Sequence, residues 1–461
     1  MAVRSAREVP GSRGRLGLRF ALLWAGQSVS LVGDQISLIA LPLFAVEDLH
    51  ASTLDVGVLG SSLRLPFLLV GLPAGVWITR IGLNRSMIAA DVGRGCAVGI
   101  LALSPLALLG GLWVLFGAAL VIGAATVLFQ LSYQSVVPEL IDSPERWRAA
   151  NTRLSLSEST ALLLGPAAGG LAVGWLAPRG ALSLDVGSYA ISVATLSVVS
   201  FLTARKRLGG RDMTPAVDDS RGLRREIAEG WRYVRASPLL DAIMWIGATY
   251  NLGASMYDAL IVVFAVHSLH MTPSRLGLAV GAGAVGFPLG SALSGPATKR
   301  LGLGPSLRWA AIPSVAGLFV ASSAPRTAAA AFLAGGTFLV GLGQGCFAVN
   351  AITLRQLGSS PELRARATAV HRFASWGSLP VGAALGGVLG DTLGLRPAML
   401  IASALSAACI WPLHRSPLGG IRSPADVQSS RPRENEVPPA TPARRAGQLL
   451  GNGRREHAAR A

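Results

Sequence analysis

The chain has 461 residues, of which 51% are apolar and only 14% are charged. A soluble domain carries about 25% charged residues, so this composition excludes an ordinary soluble protein. The formal net charge of +17 would suit a nucleic-acid-binding protein. No aromatic-basic module accompanies that charge, and we expect no nucleic-acid partner.

Charged clusters and Gly/Pro breaks divide the sequence into twelve apolar stretches, each close to the ~20 residues that cross a bilayer as a helix. The runs are long and continuous rather than alternating, which favours helices over strands. We therefore predict an all-α membrane protein with twelve transmembrane helices. The predicted spans are 19–46, 56–78, 86–108, 111–136, 152–176, 181–203, 239–266, 275–298, 306–323, 327–353, 367–390 and 396–414.

Basic residues follow every second span, as Arg205, Lys206 and Arg207 do after the sixth, while the alternate loops carry few. The positive-inside rule then places both termini in the cytoplasm and the protein in the plasma (inner) membrane. The predicted parts are a cytoplasmic segment (1–18), a six-helix half (19–203), a cytoplasmic linker with a short amphipathic helix (204–238), a second half (239–414) and a disordered cytoplasmic tail (415–461).

The second half of the chain repeats the first. The segment 44–50, which begins Phe-Ala-Val, returns as 264–270 at an offset of 220. Later the offset becomes 217, where Gly165, Gly169 and Gly170 match three glycines of span eleven. Two tandem copies of a multi-span unit predict two pseudo-symmetric six-helix halves with a cleft between them, which is the organisation of many secondary transporters.

The loop between spans two and three contains Gly75, Arg80, Gly82 and Arg85. It resembles the signature loop of the major facilitator superfamily, which implies a gating role: the glycine permits close packing, and the basic residues bias the bundle between its two open states. Thr79 stands where the family usually has aspartate, so the charge network of the loop is incomplete. The alternative interpretation of these arginines is ordinary positive-inside charge.

Span five contains Gly165-Pro166-Ala167-Ala168-Gly169-Gly170. This string is similar to a motif of superfamily antiporters, most of which are exporters. Proline kinks a helix and frees a carbonyl, and paired glycines let a neighbouring helix approach closely. Generic packing of small residues is the alternative.

Short matches in the first three spans resemble one branch of the superfamily, the bacterial exporters for macrolides and the siderophore enterobactin, also called transmembrane secretion effectors. The residues that carry this resemblance are Asp34, Arg64-Leu65-Pro66 and Asp91-Val92-Gly93-Arg94.

Charged residues inside spans cost about 2.5–3.5 kcal/mol each on insertion scales and usually have a function. Asp34, near the middle of span one, is the first candidate for a proton-coupling carboxylate, with Arg64 of span two as its counter-ion. A static Asp34–Arg64 pair is the alternative. Glu158, seven residues before Gly165, is the second candidate.

Asp91 and Arg94 share one helix face, and we expect them to form a structural charge cluster with Arg80 or Arg85 near the inner surface. Interfacial or pairing roles are expected for Asp185 and Asp258, and snorkelling for His371-Arg372 at the inner end of span eleven. Candidates for contact with an amphiphilic substrate are Gln27, Gln35, Trp245, Tyr250, Asn251 and Tyr257, with a packing or belt role as the alternative for each.

No catalytic arrangement, phosphate-binding loop or metal-ligand spacing is recognisable, so we expect neither an enzyme nor a cofactor or metal. The expected function is proton-coupled export of a small amphiphilic compound, such as a drug, antibiotic or siderophore, by a monomer that works by alternating access. Import or facilitated uptake of a metabolite stays open, as does a non-transporting sensor or scaffold. The sequence leaves the substrate and the choice between proton and sodium undetermined.

Overall fold

The first half of the chain begins with α1 (Leu18–Leu49), whose 32 residues would span about 48 Å. A computed structural model describes residues 16–70, 74, 77–78, 80–103, 111–141, 144–207, 223–360 and 363–429. The remaining helices of this half are α2 (Thr53–Leu69), α3 (Leu83–Leu103), α4 (Leu112–Ser135), the short α5 (Val137–Leu140), α6 (144–176) and α7 (178–207). Ala177, with φ 58°, separates α6 from α7.

The second half is preceded by α8 (Leu223–Ala236), which packs against α9 and α14. Its helices are α9 (Pro238–Val263), extended by a π-helical turn (Phe264–Ser268), and α10 (Pro273–Ala284), α11 (Gly286–Leu301), α12 (Leu303–Ser322), α13 (Ala329–Gly358), α14 (Arg364–Leu393), α15 (Leu395–Ala407) and α16 (Ile410–Arg415). A last short helix, α17 (Pro424–Ser429), follows.

The described part of the chain is helical throughout its regular structure, which confirms the predicted fold class. Nine of its segments are long and apolar enough to cross a membrane. One of the nine, Ala149–Thr203, contains both α6 and α7, and the helices α2 and α12 lie outside the nine. The described helices are thus consistent with the twelve predicted spans.

The sequence repeat is also a repeat of backbone conformation. His50 and His270, which are 220 positions apart, both have φ 53°, and Gly82 and Gly302 have φ 92° and 94°. Left-handed backbone is uncommon for a non-glycine residue, so its recurrence in both histidines shows that the two copies turn in the same way. Each of these positions lies between two helices and reverses the chain.

The two halves approach each other most closely at the end where α1 finishes and α2 begins. A Cβ on Gly57 of α2 would lie 2.4 Å from the Cα of Gly387 on α14. A Cβ on Gly170 of α6 would lie 2.7 Å from the Cα of Gly277 on α10. The repeat offsets carry Gly57 onto Gly277 and Gly170 onto Gly387, so one pseudo-twofold axis relates the two contacts.

The tail predicted to be disordered from residue 415 is folded in its first part, and there the prediction is wrong. Leu418, Ile421 and Val427 are at most 3% exposed and pack against α9, α12 and α13. The backbone N–H of Gly304 donates to the carbonyl of Ile421 at 2.8 Å. Three buried aliphatic residues therefore pack this segment against the bundle, although its average composition is polar. The rest of the predicted tail (430–461), the N-terminal residues 1–15 and the linker residues 208–222 lie outside the described residues.

Candidate functional site

Three helices of the first half converge on a buried cluster of charged residues. The guanidinium of Arg94, on α3, lies with Nη1 3.3 Å from each carboxylate oxygen of Asp34 on α1. Its Nη2 donates to the carboxylate of Asp91, one turn earlier on α3. The hydroxyl of Tyr189 on α7 donates to Asp34 at 2.5 Å. Arg94, Asp91 and Asp185 of α7 are at most 2% exposed.

Small and aromatic neighbours make room for this cluster. A Cβ on Gly33 would lie 2.2 Å from Oγ of Ser188, so glycine is what lets α7 approach α1 at the level of Asp34. The guanidinium of Arg94 lies 4.5 Å from the ring centre of Phe129 and 4.7 Å from that of Tyr189. Two ring faces and two carboxylates thus replace part of the water that the buried guanidinium has lost, while its Nε has no hydrogen-bond partner among the described residues.

Hydroxyl and amide groups satisfy the remaining acceptors of the cluster. Ser192 donates to Asp91, and Nε2 of Gln27 donates to Oγ of Ser192 at 2.8 Å. Ser37 and Ser188 both donate to the carboxylate of Asp185. Gln27 is 2% exposed and bonds within the cluster, so in this conformation it faces no cavity and its contact with substrate stays a prediction.

Asp34 is the most exposed charged residue of the cluster. Its side chain is 33% exposed, against 2% for Arg94 and 0% for Asp91. A carboxylate at the edge of a buried charge cluster can exchange a proton with water while it stays in contact with the buried cation.

Arg64, which the sequence predicts as the counter-ion of Asp34, forms its ion pair elsewhere. Its Nη2 lies 3.7 Å from Oδ2 of Asp258, so the pair joins α2 of the first half to α9 of the second. The prediction fails because depth in the membrane can be read from sequence, whereas the direction in which a helix faces depends on packing. The same reason corrects Asp91 and Arg94, which join Asp34 and not the exposed residues Arg80 and Arg85.

A cavity of about 350 Å³ lies between the halves and is lined by both members of the Arg64–Asp258 pair. Tyr250 and Tyr257 line it, as the sequence predicts for substrate contacts. Tyr250 also borders a second cavity of about 370 Å³ together with Asn251. Oη of Tyr250 is held by Nε2 of Gln344 at 2.9 Å and by Oγ of Ser314 at 2.7 Å.

The two other predicted cavity residues lie outside both cavities. Trp245 is 41% exposed on α9 and is not part of either lining. Gln35 packs on α6, where a Cβ on Gly165 would lie 2.3 Å from the Cβ of Gln35. The contact of these two residues with substrate therefore stays a prediction.

The antiporter-like string of span five provides helix contacts. Gly165 and Gly169 pack on α1, Gly170 packs on α10, and Pro166 lines the cavity between the halves. Glu158, on the same helix, is exposed, and among the described residues no cation lies within 4.0 Å of it. It does not join the cluster around Asp34.

Only part of the predicted gating loop can be placed. Gly75 and Thr79 lie outside the described residues, and Arg80 and Arg85 are exposed. Gly82 has φ 92°, a conformation that favours glycine. The described residues contain no group of three or more His, Cys, Asp or Glu side chains placed to hold a metal ion.

Sequence reasoning missed the contribution of α7. Asp185, Ser188, Tyr189 and Ser192 follow each other at helical spacing and place one polar face in an apolar span. Such a face, opposite Gly33 of α1, is a signal that could have located the partners of Asp34.

Comparison with known proteins assigns this chain to a family. The sequence profile of the family described as transmembrane secretion effector matches residues 17–448. The chain is 23% identical over 288 residues to the uncharacterized MFS-type transporter YfiS of Bacillus subtilis (strain 168). It is 23% identical over 278 residues to macrolide efflux protein A of Streptococcus pyogenes. These matches cover 62% and 60% of this chain and 66% of each relative, just under two thirds of their length.

Solved structures share the fold. A bacterial homologue of the iron transporter ferroportin, in an inward-facing state, is similar with a TM-score of 0.64 and 17% identity over 86% of this chain and 98% of its own. A bacterial homologue of the human lysosomal transporter Spinster, in an inward-facing and occupied conformation, has a TM-score of 0.65 and 14% identity over 90% and 100% of the two chains. At these identities the likeness concerns the fold alone.

Proposed function

Because the chain belongs to the transmembrane secretion effector family of the major facilitator superfamily, we propose that it exports small amphiphilic organic compounds by proton antiport. It works as a monomer in the plasma membrane, with both termini in the cytoplasm. The observation that carries the proposal is Asp34, a half-buried carboxylate in contact with Arg94 and Tyr189. Such a group can take up a proton from water and relay the change in charge to α3 and α7.

The charge balance of the cluster supports proton binding. The guanidinium of Arg94 contacts two carboxylates, of Asp34 and Asp91, and the nearby carboxylate of Asp185 is bonded, among the described residues, only by the hydroxyls of Ser37 and Ser188. An excess of negative charge is costly in surroundings of low dielectric constant, and protonation of a carboxylate relieves that cost. Asp34 is the carboxylate whose protonation water can reach, so it is the group that we assign to coupling.

The packing of the halves supports alternating access. They meet through the contacts Gly57–Gly387 and Gly170–Gly277, both at one end of the bundle. The distribution of basic residues supports placing that end at the outer surface, and we propose that this conformation is closed there. Closing at the opposite end would require the glycine contacts to separate. Export direction is favoured by the resemblance to macrolide efflux protein A.

The test is the accumulation of drugs and dyes in energised cells that express wild type, Asp34→Asn or vector alone, with and without a protonophore. Asp391→Asn is the matched control, because Asp391 is exposed at the end of α14. We expect wild type and the control to lower accumulation, and both the protonophore and Asp34→Asn to abolish that effect. Export that survives Asp34→Asn would refute the coupling role, and accumulation above the vector level would show import.

A further inference from the structure

Among the described residues, the cavity of about 370 Å³ in the second half is lined by one arginine and one histidine and by no acidic residue. It is enclosed mainly by α9, α12, α13 and α14. Arg355, in the last turn of α13, and His371, near the start of α14, both line it. In the part of the chain that the structure describes, no carboxylate lies within 4.0 Å of Arg355. Nε of Arg355 and Nδ1 of His371 are buried without a hydrogen-bond partner.

Other arginines at this end of the bundle are solvated or paired. Arg364 is exposed at the start of α14, and Arg366 lies 2.8 Å from a carboxylate oxygen of Glu229. Positive-inside charge accounts for such residues, since they need only reach water or an acidic neighbour. Arg355 differs from them in one atom: its side chain is only partly exposed, and its Nε–H is buried without an acceptor among the described residues, which costs free energy. An occupant of the cavity with an oxyanion would supply that acceptor.

The rest of the wall suits an apolar body with few polar groups. The rings of Phe287, Phe347 and Trp376 line it. The polar groups of Tyr250 and Asn251 are already used within the protein: Tyr250 bonds Ser314 and Gln344, and Asn251 donates to the carbonyl of Ser375 at 2.8 Å. Ligand pockets commonly combine such apolar walls with one or two placed polar groups. Here the groups without a partner in the described part of the chain are Nε of the cationic Arg355 and Nδ1 of His371.

We propose that this cavity binds an organic anion, a carboxylate or sulfonate on an aromatic or otherwise apolar body, with Arg355 as the direct partner of the anionic group. The inference rests on the proposed function in that it assigns a substrate class to the exporter. It assigns that class to a site distinct from the Arg64–Asp258 pair. The negative charge of the substrate and the proton on Asp34 then occupy different halves.

The experiment compares two dyes that differ by one anionic group. They are 8-anilino-1-naphthalenesulfonate and the neutral N-phenyl-1-naphthylamine, each titrated by fluorescence against purified full-length protein in nanodiscs. Removing a charge-assisted hydrogen bond should weaken binding of the sulfonate by about tenfold or more in Arg355→Gln. Binding of the neutral dye should stay unchanged in that variant, which also shows that it is folded. Arg355→Lys should recover part of the sulfonate affinity.

Arg364→Gln is the matched control, because it removes the same charge from the same end of the bundle at an exposed position. It should leave both affinities unchanged. The proposal is overturned if Arg355→Gln leaves sulfonate binding intact, or if Arg364→Gln weakens it as much. Asp34→Asn should retain both dye affinities. If this variant loses export while it still binds both dyes, the defect lies in coupling and not in this cavity. Export by wild type without any Arg355-dependent binding would overturn the substrate class and leave the export function standing.

Discussion

Adding a single methyl group at the glycine contacts between the halves should shift the conformational equilibrium of the bundle. In Gly57→Ala the new Cβ would lie 2.4 Å from the Cα of Gly387, and in Gly170→Ala 2.4 Å from the carbonyl oxygen of Pro273. Non-bonded carbon atoms pack at about 3.5–4.0 Å. Both obstacles are backbone atoms, so rotation of a side chain cannot relieve the overlap and the helices must move apart by about 1 Å.

The magnitude follows from the cost of overpacking. An extra methyl in a close-packed site costs about 1–3 kcal/mol. That cost falls on the conformation closed at this end, because the contact no longer exists once α2 and α14 separate. The gain in helix propensity from glycine to alanine, about 1 kcal/mol, is present in both conformations and cancels. A bias of 1–3 kcal/mol changes the ratio of the two states by about 5–150-fold.

The assay is the distance distribution between spin labels at Leu54 and Thr392, which are exposed residues of α2 and α14 near the contact. We expect Gly57→Ala to move population towards longer distances and to slow transport at unchanged expression. Gly187→Ala is the control, because a Cβ at Gly187 of α7 meets nothing within 4 Å. If Gly57→Ala shows the same distances and transport as this control, the glycine contact does not hold the halves together and the reasoning is refuted.

Three further predictions concern stability, measured as thermal unfolding of the purified protein. Arg94→Gln leaves the buried Asp91 without its cation, which should lower the free energy of unfolding by about 3–5 kcal/mol. Adding Asp91→Asn should recover part of this loss, and unchanged stability of Arg94→Gln would contradict the cluster. In the Arg64–Asp258 pair the side chain of Asp258 is 57% exposed. A double-mutant cycle should therefore give a coupling energy of only about 0–1 kcal/mol between the two residues. Deleting 417–461 removes three buried aliphatic side chains, each worth about 1.5–3 kcal/mol of unfolding free energy, and a truncation after residue 429, which keeps these side chains, is the comparison.

The fold was accessible from the sequence because its signals are local and repeated. Length and hydropathy determine where a helix can span, and the repeat of 44–50 at 264–270 defines two copies. The backbone reversals at His50 and His270 follow from that repeat. The partner of Asp34 could not be predicted from the sequence, because it depends on the rotation of α1, α3 and α7 about their own axes. A one-residue rotation, about 100°, is enough to exchange Arg94 for another cation.

Comparison of equivalent positions in the two halves shows which features of the charge cluster are needed for helix packing. Gly33 of α1 corresponds to Gly253 of α9. Gly33 contacts α7, and Gly253 contacts α15. Gly33 meets the side chain of Asp185, whereas Gly253 meets the backbone of Ala402, which is 217 positions after Asp185. The equivalent helix contact therefore involves a carboxylate in one half and neutral backbone and serine atoms, of Ala402 and Ser406, in the other.

The remaining charges of the cluster are replaced in the same way. At an offset of 220, Asp34 corresponds to Ala254 and Arg94 to Ser314. Because the second half packs the equivalent helices with small neutral residues, the fold does not require charges at these positions. Buried charges are costly in a membrane protein, so their presence in the first half points to a role that packing does not supply. This asymmetry is the physical argument for assigning proton coupling to the first half, while the Arg355 cavity of the second half is left to bind the transported compound.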